Sequence, residues 1–130
     1  MKTVLIADDN AASRELLQSA LEPLGFRVIE AADGEEALTL IESDSPDLIL
    51  LDIQMPLLNG FAVLEAVRKE RSHSGTRLIA ITALAMESDR ERILAAGFDS
   101  YISKPISISA LRKQLEQWLY EDERANRAES

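Results

Sequence analysis

Short apolar segments alternate with segments of helical periodicity five times along this chain, and that alternation constrains the fold more than any other feature. The clearest apolar segments, Thr3–Ala7 and Leu48–Leu51, have the length of strands. Uninterrupted apolar strands are typical of parallel sheets that helices cover on both faces. The alternation therefore predicts an α/β fold with a doubly wound, five-stranded, mostly parallel sheet flanked by five helices.

The other elements follow from the same pattern and from the signals that begin and end helices. Three further strands are predicted at 26–29, 78–81 and 101–102. A helix from about Met86 to Ala96 is expected to end at Gly97, and Ser107 is expected to cap the last helix. Residues 1–120 are predicted to form one domain. Residues 121–130 are predicted to be a frayed, charged tail without an effector domain.

Composition excludes several classes of function. The 130 residues carry a net charge of -9 with a pI near 4.6, which argues against binding to nucleic acid or to an anionic membrane surface. The absence of cysteine excludes disulfides and thiol catalysis. Met1-Lys2 leads directly into a predicted strand, so we expect no signal peptide. No apolar segment approaches the ~18 residues of a membrane span. We expect a cytoplasmic protein.

Four of the predicted strands end in residues that can take part in chemistry. The carboxyl ends of parallel strands meet at one edge of the sheet, where doubly wound folds bind their ligands. We therefore expect five side chains to lie close together at this edge: Asp8, Asp9, Asp52, Thr82 and Lys104.

Such a cluster is suited to a divalent cation and a phosphoryl group. Two carboxylates ~4 Å apart repel by ~4 kcal/mol at an effective dielectric constant of 20, and Mg²⁺ relieves such repulsion while it binds phosphate oxygens. Asp52 is the predicted nucleophile, because a carboxylate can form an acyl phosphate. Lys104 would neutralise charge on the phosphoryl oxygens, and Thr82 would donate a hydrogen bond to one of them.

Simpler interpretations exist for each residue taken alone. An aspartate after an apolar segment is often a solvated strand end, and Asp8-Asp9-Asn10 could serve only to cap the first helix. His73 lies in a polar segment without a sequence partner, and we expect it to be exposed to solvent. Tyr101 is open to two readings, as a half-buried filler or as a mobile aromatic.

Taken together, the motifs resemble the receiver domain of two-component response regulators (CheY-like proteins). This resemblance implies the flavodoxin-like strand order 2-1-3-4-5. The resemblance extends from Lys2 to about Trp118, and no essential position departs from the family pattern. It rests on six groups of residues: Asp8-Asp9, the segment 50–56 around Asp52, Asn59-Gly60, Thr82-Ala83, the segment 95–99 and the segment 101–105.

The resemblance implies a function for each residue of the predicted cluster. Asp52 would accept a phosphoryl group from a phosphohistidine on a sensor kinase or a histidine phosphotransfer protein. Asp9, Asp52 and the backbone carbonyl of Gln54 would bind Mg²⁺ directly, and Asp8 would bind it through water. Thr82 and Lys104 would contact the phosphoryl group. Such a protein is a signalling phosphoacceptor that assists its own modification, and it is not an enzyme.

The resemblance also implies how the signal is passed on. The Lys104-Pro105 bond would be cis, and Tyr101 would be a switch aromatic that turns inward when Thr82 moves toward the phosphoryl group. A downstream protein would bind the surface of the fourth helix, fifth strand and fifth helix. We expect a monomer or weak dimer. Within the family, the sequences of the motifs are most similar to those of stand-alone DivK-type regulators and of receivers in hybrid histidine kinases.

Three alternative functions were weighed. A phosphatase of the haloacid dehalogenase type needs an acid two residues after its nucleophile, where this chain has Gln54. A flavodoxin-like electron carrier needs a phosphate-binding loop after the first strand, and Asp8-Asp9-Asn10 would repel that phosphate. A non-phosphorylated binding module on the same scaffold usually lacks one of the acids, the threonine or the lysine, and this chain has them all.

The resemblance suggests, finally, a slow loss of the phosphoryl group. In this family, the positions two residues after the phosphoacceptor and two after the threonine tune hydrolysis, and here they are Gln54 and Leu84. Gln54 can hydrogen-bond a water, whereas Leu84 cannot and its bulk would shield the phosphoryl group. Alternatively, Leu84 only packs against the fourth helix.

Overall fold

Five strands alternate with five helices along the chain, as the sequence predicts. The computed structural model describes residues 2–73, 75–83 and 86–129, in the last range with side chains as far as Trp118. Short 3₁₀ turns lie at Glu22–Leu24 and Arg71–His73. The main elements are β1 Thr3–Ala7, α1 Ala11–Leu21, β2 Arg27–Ala31, α2 Gly34–Asp44, β3 Leu48–Asp52, α3 Gly60–Lys69, β4 Arg77–Thr82, α4 Glu87–Ala96, β5 Ser100–Ser103 and α5 Ile108–Glu129.

The strands form one sheet in the order β2-β1-β3-β4-β5, and every neighbouring pair is parallel. This confirms the predicted doubly wound sheet. The chain moves outward from β1 to β2 in one direction, and from β3 through β4 to β5 in the other. The order reverses between β1 and β3, so the crevice at their carboxyl ends is where such a fold binds ligands.

Two hydrophobic cores cover the two faces of the sheet. On one face, side chains of β1, β3 and β4 pack against α2, α3 and α4. On the other face, the alternate side chains of the same strands pack against α1 and α5. Every residue of β1 and β3 is buried, which explains why these two strands are the most continuously apolar segments of the sequence.

Polar side chains cap the N-termini of α1, α2, α3 and α5. Asn10, Asp33 and Asn59 each accept a hydrogen bond from the backbone N–H three residues later, at 2.8–3.0 Å. The Ser107 hydroxyl accepts a longer bond, of 3.3 Å, from the N–H of Ala110. Asn10 therefore caps α1, so the carboxylates of the preceding aspartates are not used for this purpose.

Some boundaries differ from the prediction. Strand β2 begins one residue later than expected, because Phe26 turns into the core and stacks on Trp118, with ring centroids 6.3 Å apart. Helix α5 continues to Glu129, well beyond the expected end of ordered structure near residue 120. The segment after residue 120 is rich in Glu, Arg and Ala, which favour helix, so the backbone prolongs α5.

The expectation that His73 is exposed is wrong. His73 is only 5% exposed, because the 3₁₀ turn at the end of α3 folds its side chain against α2. It lines a cavity of about 220 Å³ between α2 and α3. Its Nε2 atom lies 3.9 Å from Glu42 Oε1. Because Glu42 is far from His73 in sequence, local composition could not reveal this packing.

None of the helices in the described ranges combines the length and hydrophobicity that a membrane span requires.

Gly60 provides a test of how α3 is packed against the end of β3. A Cβ atom at Gly60 would lie 2.7 Å from the carbonyl oxygen of Asp52 and 2.9 Å from the Cα of Ile53. Because both are backbone atoms, Gly60→Ala must displace the end of β3, and we expect it to lower the free energy of unfolding by about 1–3 kcal/mol.

Gly75→Ala is the matched control, since a Cβ atom there would meet no atom within 4 Å. It should change the free energy of unfolding by no more than about 0.5 kcal/mol. Urea denaturation of both variants measures the difference. Equal stability of the two variants would contradict the close approach at Gly60.

Candidate functional site

Residues from the ends of three strands meet at the side chain of Lys104. Asp8 follows β1, Asp52 is the last residue of β3, and Lys104 follows β5. The Lys104 Nζ atom lies 3.2 Å from Asp8 Oδ2 and 3.2 Å from Asp52 Oδ2. The sheet therefore brings together two of the predicted carboxylates and the predicted lysine. Asp52 and Lys104 are 52 residues apart in sequence, and Asp8 lies further still from Lys104.

The two buried carboxylates are held in the same way by their own backbone. Asp8 Oδ1 accepts a hydrogen bond of 2.9 Å from the N–H of Asn10, and Asp52 Oδ1 accepts one of 3.0 Å from the N–H of Gln54. Each aspartate thus forms a turn with the residue two positions later, and this turn orients its second oxygen toward Lys104.

Thr82 occupies the end of β4 and is buried. Its backbone carbonyl accepts a hydrogen bond of 2.8 Å from the N–H of Lys104, which ties the end of β5 to the end of β4. The Lys104-Pro105 peptide bond is cis. The predicted threonine and lysine are therefore neighbours across the β4–β5 pair.

Three carboxylates form a group that fits a metal ion. One oxygen each from Asp8, Asp9 and Asp52 lie within 4.8 Å of one another; Asp9 is exposed, while the other two are buried. Asp8 Oδ2 is buried and accepts no hydrogen bond of good geometry within the described part of the chain, although the Lys104 ammonium lies 3.2 Å away. Carboxylate oxygens are hard ligands of the kind that Mg²⁺ prefers.

Burial dominates the protonation of Asp52. The pKa of Asp52 is raised from 3.8 to about 6. Desolvation by burial is the largest cause and the charge of Asp8 adds to it, whereas the N–H of Gln54 and the Lys104 ammonium act in the opposite direction. For Lys104 itself, burial disfavours the ammonium, but the attraction of Asp52 and Asp8 outweighs burial and raises the pKa above 10.5. At neutral pH, Lys104 is therefore charged and Asp52 is mostly ionised.

The loop between β3 and α3 presents the backbone of Gln54 at the edge of the site. Its start is fixed by hydrogen bonds from the N–H of Ile53 to the carbonyl of Ile81, 3.1 Å, and from the N–H of Gly60 to the carbonyl of Ile53, 2.9 Å. Leu57 has a positive φ of 70°, and its side chain is 69% exposed. The loop is thus tightly anchored at both ends and strained in its middle.

Sequence reasoning missed a second set of contacts that holds the loop after β1. Arg14 donates a hydrogen bond of 2.7 Å to the backbone carbonyl of Asp8, and its Nε lies 3.3 Å from Glu30 Oε1 on β2. This arrangement positions the backbone that carries Asp8 and Asp9. Nothing local in the sequence indicates it, because Glu30 is on a different strand.

Tyr101 lies on β5 and is partly exposed. Its side chain packs against the core on the face of the sheet that carries α4, and Arg90 of α4 lies over its ring at 5.4 Å from the centroid. Because strand residues alternate between faces, and Tyr101 pairs with Ala80, Tyr101 and Thr82 lie on the same face. Leu84, the second position expected to affect the phosphoryl lifetime, is outside the described residues.

Comparison with known proteins identifies the family. The model of the response regulator receiver domain matches residues 4–116. The chain belongs to this family. Receiver domains are signalling phosphoacceptors of two-component systems, they interact with histidine kinases or phosphotransfer proteins, and they are not generally considered enzymes. The resemblance inferred from the motifs is thus confirmed.

Two relatives differ in how much of their length this receiver covers. The polar-differentiation response regulator DivK of Brucella abortus (strain 2308) is 37% identical over 118 residues, which are 91% of this chain and 96% of DivK. The probable transcriptional regulator ycf27 of Cyanophora paradoxa is 39% identical over 118 residues, 91% of this chain but 48% of ycf27. This receiver thus spans about half the length of ycf27.

A solved structure adds a comparison for the metal site. The receiver domain of the sensor histidine kinase PA1611 from Pseudomonas aeruginosa PAO1 has a TM-score of 0.81 and 32% identity, covering 90% of this chain and 96% of that chain. That structure has a magnesium ion coordinated in the active site cleft. Receiver domains typically bind Mg²⁺, and the acidic cluster of this chain has the ligands for it.

The raised pKa of Asp52 predicts a pH dependence of stability. The folded protein holds this proton more tightly than the unfolded chain, so stability falls as the pH rises from about 4 to about 6. Asp52→Asn lacks this group. In EDTA, the free energy of unfolding of Asp52→Asn minus that of wild type should therefore increase by on the order of 2–3 kcal/mol between pH 4 and pH 7.

Urea denaturation of both proteins across this pH range measures the relative stability, and the contributions of groups that do not interact with Asp52 cancel in the difference. A difference that does not change with pH would show that burial does not disfavour the ionised Asp52.

Proposed function

We propose that Asp52 accepts a phosphoryl group from a phosphohistidine on a sensor histidine kinase or a histidine phosphotransfer protein. The observation that carries this proposal is the position of Asp52, whose Oδ2 lies 3.2 Å from the Lys104 ammonium beside two further carboxylates. A pKa of about 6 leaves about nine-tenths of Asp52 ionised at pH 7. The carboxylate is therefore available as a nucleophile without a separate general base.

In the proposed transfer, an oxygen of Asp52 forms a bond to phosphorus as the bond between phosphorus and the donor imidazole breaks. The imidazole leaves with its electron pair. Lys104 stabilises negative charge on the phosphoryl oxygens, and the Thr82 hydroxyl donates a hydrogen bond to one of them. Because transfer neutralises the charge of Asp52 and brings a dianionic group, Lys104 would shift its contacts from the carboxylates to the phosphoryl oxygens.

We place Mg²⁺ at the acidic cluster. Asp9, Asp52 and the carbonyl of Gln54 would bind it directly, and Asp8 would bind it through water. When bound, the ion supplies positive charge that offsets the carboxylates and the phosphoryl oxygens. The unsatisfied Oδ2 of Asp8 and the magnesium in the PA1611 receiver support this assignment.

The output we propose is a protein-binding face formed by α4, β5 and α5. Modification of Asp52 would draw Thr82 toward the phosphoryl group, and Tyr101 on the same face of the sheet would turn inward. A downstream protein would read this change. The cytoplasmic location and the monomer or weak dimer expected from the sequence stay predictions.

Two features of the site favour this function over the alternatives. The residue two positions after Asp52 is Gln54, which cannot serve as the general acid of a haloacid dehalogenase-type phosphatase. All the acids, the threonine and the lysine are present, unlike in non-phosphorylated modules on this scaffold.

Labelling by acetyl phosphate tests the proposal. We expect wild type to gain one phosphoryl group in Mg²⁺ and none in EDTA, and Asp52→Asn to gain none, as intact-protein mass spectrometry would show. Asp33→Asn is the control, because asparagine caps a helix as well as aspartate does, and it should be labelled like wild type. Labelling of Asp52→Asn at the normal rate, or continuous turnover of the donor, would refute the assignment.

A second variant tests the metal ligands. Asp9→Ala removes one carboxylate of the cluster, so it should bind Mg²⁺ more weakly by tenfold or more, about 1.4 kcal/mol. Because it relieves repulsion, it should also be more heat-stable than wild type in EDTA. Mg²⁺ titration by calorimetry and thermal denaturation measure the two effects. Normal phosphorylation of Asp9→Ala in Mg²⁺ would contradict the role of Asp9.

The lifetime of the phosphoryl group remains a prediction from the family pattern. Leu84→Glu should shorten the half-life, because a glutamate can position the attacking water that leucine would exclude. Decay of the protein-bound phosphoryl group by mass spectrometry measures it. An equal or longer half-life would show that Leu84 does not shield the phosphoryl group.

A further inference from the structure

Helix α4 contributes a charged group to the surface around Tyr101. Arg90 lies with its guanidinium carbon 5.4 Å from the centroid of the Tyr101 ring, within the range of a cation–π interaction. The two residues line an open groove between α4 and β5, together with Glu87, Glu91 and Leu94. The guanidinium thus contacts the ring from its solvent side.

This contact bears directly on the position of the ring. The Tyr101 side chain is partly buried: it packs against the core, and it also contacts Arg90. In the arrangement seen here, called outward, the ring meets Arg90. An inward movement of the ring would withdraw it from the guanidinium and weaken the cation–π attraction. Arg90 therefore interacts differently with the two arrangements, which is the condition for any group to shift such an equilibrium.

We propose that Arg90 is a positioning residue that holds the Tyr101 ring outward and thereby opposes the phosphorylated arrangement of the domain. The proposal rests on the proposed function, because it takes Tyr101 as the element that couples Asp52 to the α4–β5–α5 face. Arg90 acts through Tyr101 and touches neither Asp52 nor the phosphoryl group. Its effect is to shift the equilibrium between the two arrangements of Tyr101 toward the outward one.

The size of the effect follows from the exposed setting of Arg90. A cation–π interaction at such a site changes an equilibrium by about two- to fivefold. By linkage, whatever favours the outward ring disfavours the ligand that needs the inward ring by the same factor. Removing Arg90 should therefore tighten the binding of a phosphoryl analogue at Asp52 by up to about fivefold.

Arg92 provides a matched control on the same helix. Its guanidinium lies 5.2 Å from the centroid of Phe61, so it makes the same kind of contact with a ring that has no place in the switch. Arg92→Ala removes the same charge as Arg90→Ala. Loss of a positive charge alone should weaken binding of an anion, which is opposite in sign to the effect expected from releasing Tyr101.

The experiment combines two readouts on the full chain. The first is the ¹⁹F NMR shift of Tyr101 in protein labelled with 3-fluorotyrosine, assigned by its absence in Tyr101→Leu. The second is the affinity for beryllofluoride in saturating Mg²⁺. Arg90→Ala should move the Tyr101 signal toward its position in the beryllofluoride complex and tighten beryllofluoride binding two- to fivefold. Arg90→Lys should give an intermediate result, and Arg92→Ala should do neither.

A double variant separates this mechanism from a general effect on the fold. In a Tyr101→Leu background, Arg90→Ala should no longer change the beryllofluoride affinity, because the ring on which Arg90 acts is absent. The proposal is overturned if Arg90→Ala behaves like Arg92→Ala in both readouts, or if its effect persists without Tyr101. If wild type binds no beryllofluoride, the proposed function fails instead, and a Tyr101 signal that Arg90→Ala leaves unmoved would then show that Arg90 does not hold the ring.

Discussion

The ammonium of Lys104 between two buried carboxylates is the interaction on which the site depends. Asp8 and Asp52 come from adjacent strands at the point where the strand order reverses, and Lys104 comes from the end of β5 at the sheet edge. Two buried like charges at this distance are unfavourable by several kcal/mol without such a partner. The register of three strand pairs, β1–β3, β3–β4 and β4–β5, must be correct for these three side chains to meet.

The same arrangement leaves the negative charge of the site only partly compensated. One ammonium faces at least two carboxylates, one oxygen of Asp8 lacks a well-formed hydrogen bond within the described part of the chain, and the pKa of Asp52 stays raised by burial. The fold therefore maintains an electrostatic cost that a bound cation can relieve. Functional sites commonly hold such unfavourable arrangements, because the surrounding core over-determines their geometry. Here two helix-covered faces of the sheet provide that support.

The features of the fold and of the site that depend on local sequence pattern could be predicted from the sequence. Continuous apolar segments locate β1 and β3, the capping side chain of Asn59 marks the start of α3, and the polar residues at strand ends identify the site. Contacts between residues distant in sequence were not predictable. The burial of His73 depends on α2, and the contact of Arg90 with Tyr101 depends on how α4 lies beside β5. A polar residue in a loop carries no local sign of such partners.

The most direct test of this account is the pKa of Asp52 measured by ¹³C NMR of its side-chain carboxyl group in metal-free protein. The account predicts a value near 6 in wild type and a higher value in Lys104→Met, since Lys104 opposes the effect of burial. Mg²⁺ should lower the pKa in wild type by stabilising the ionised carboxyl group. A wild-type value near the ordinary 3.8, or one unchanged in Lys104→Met, would contradict the account.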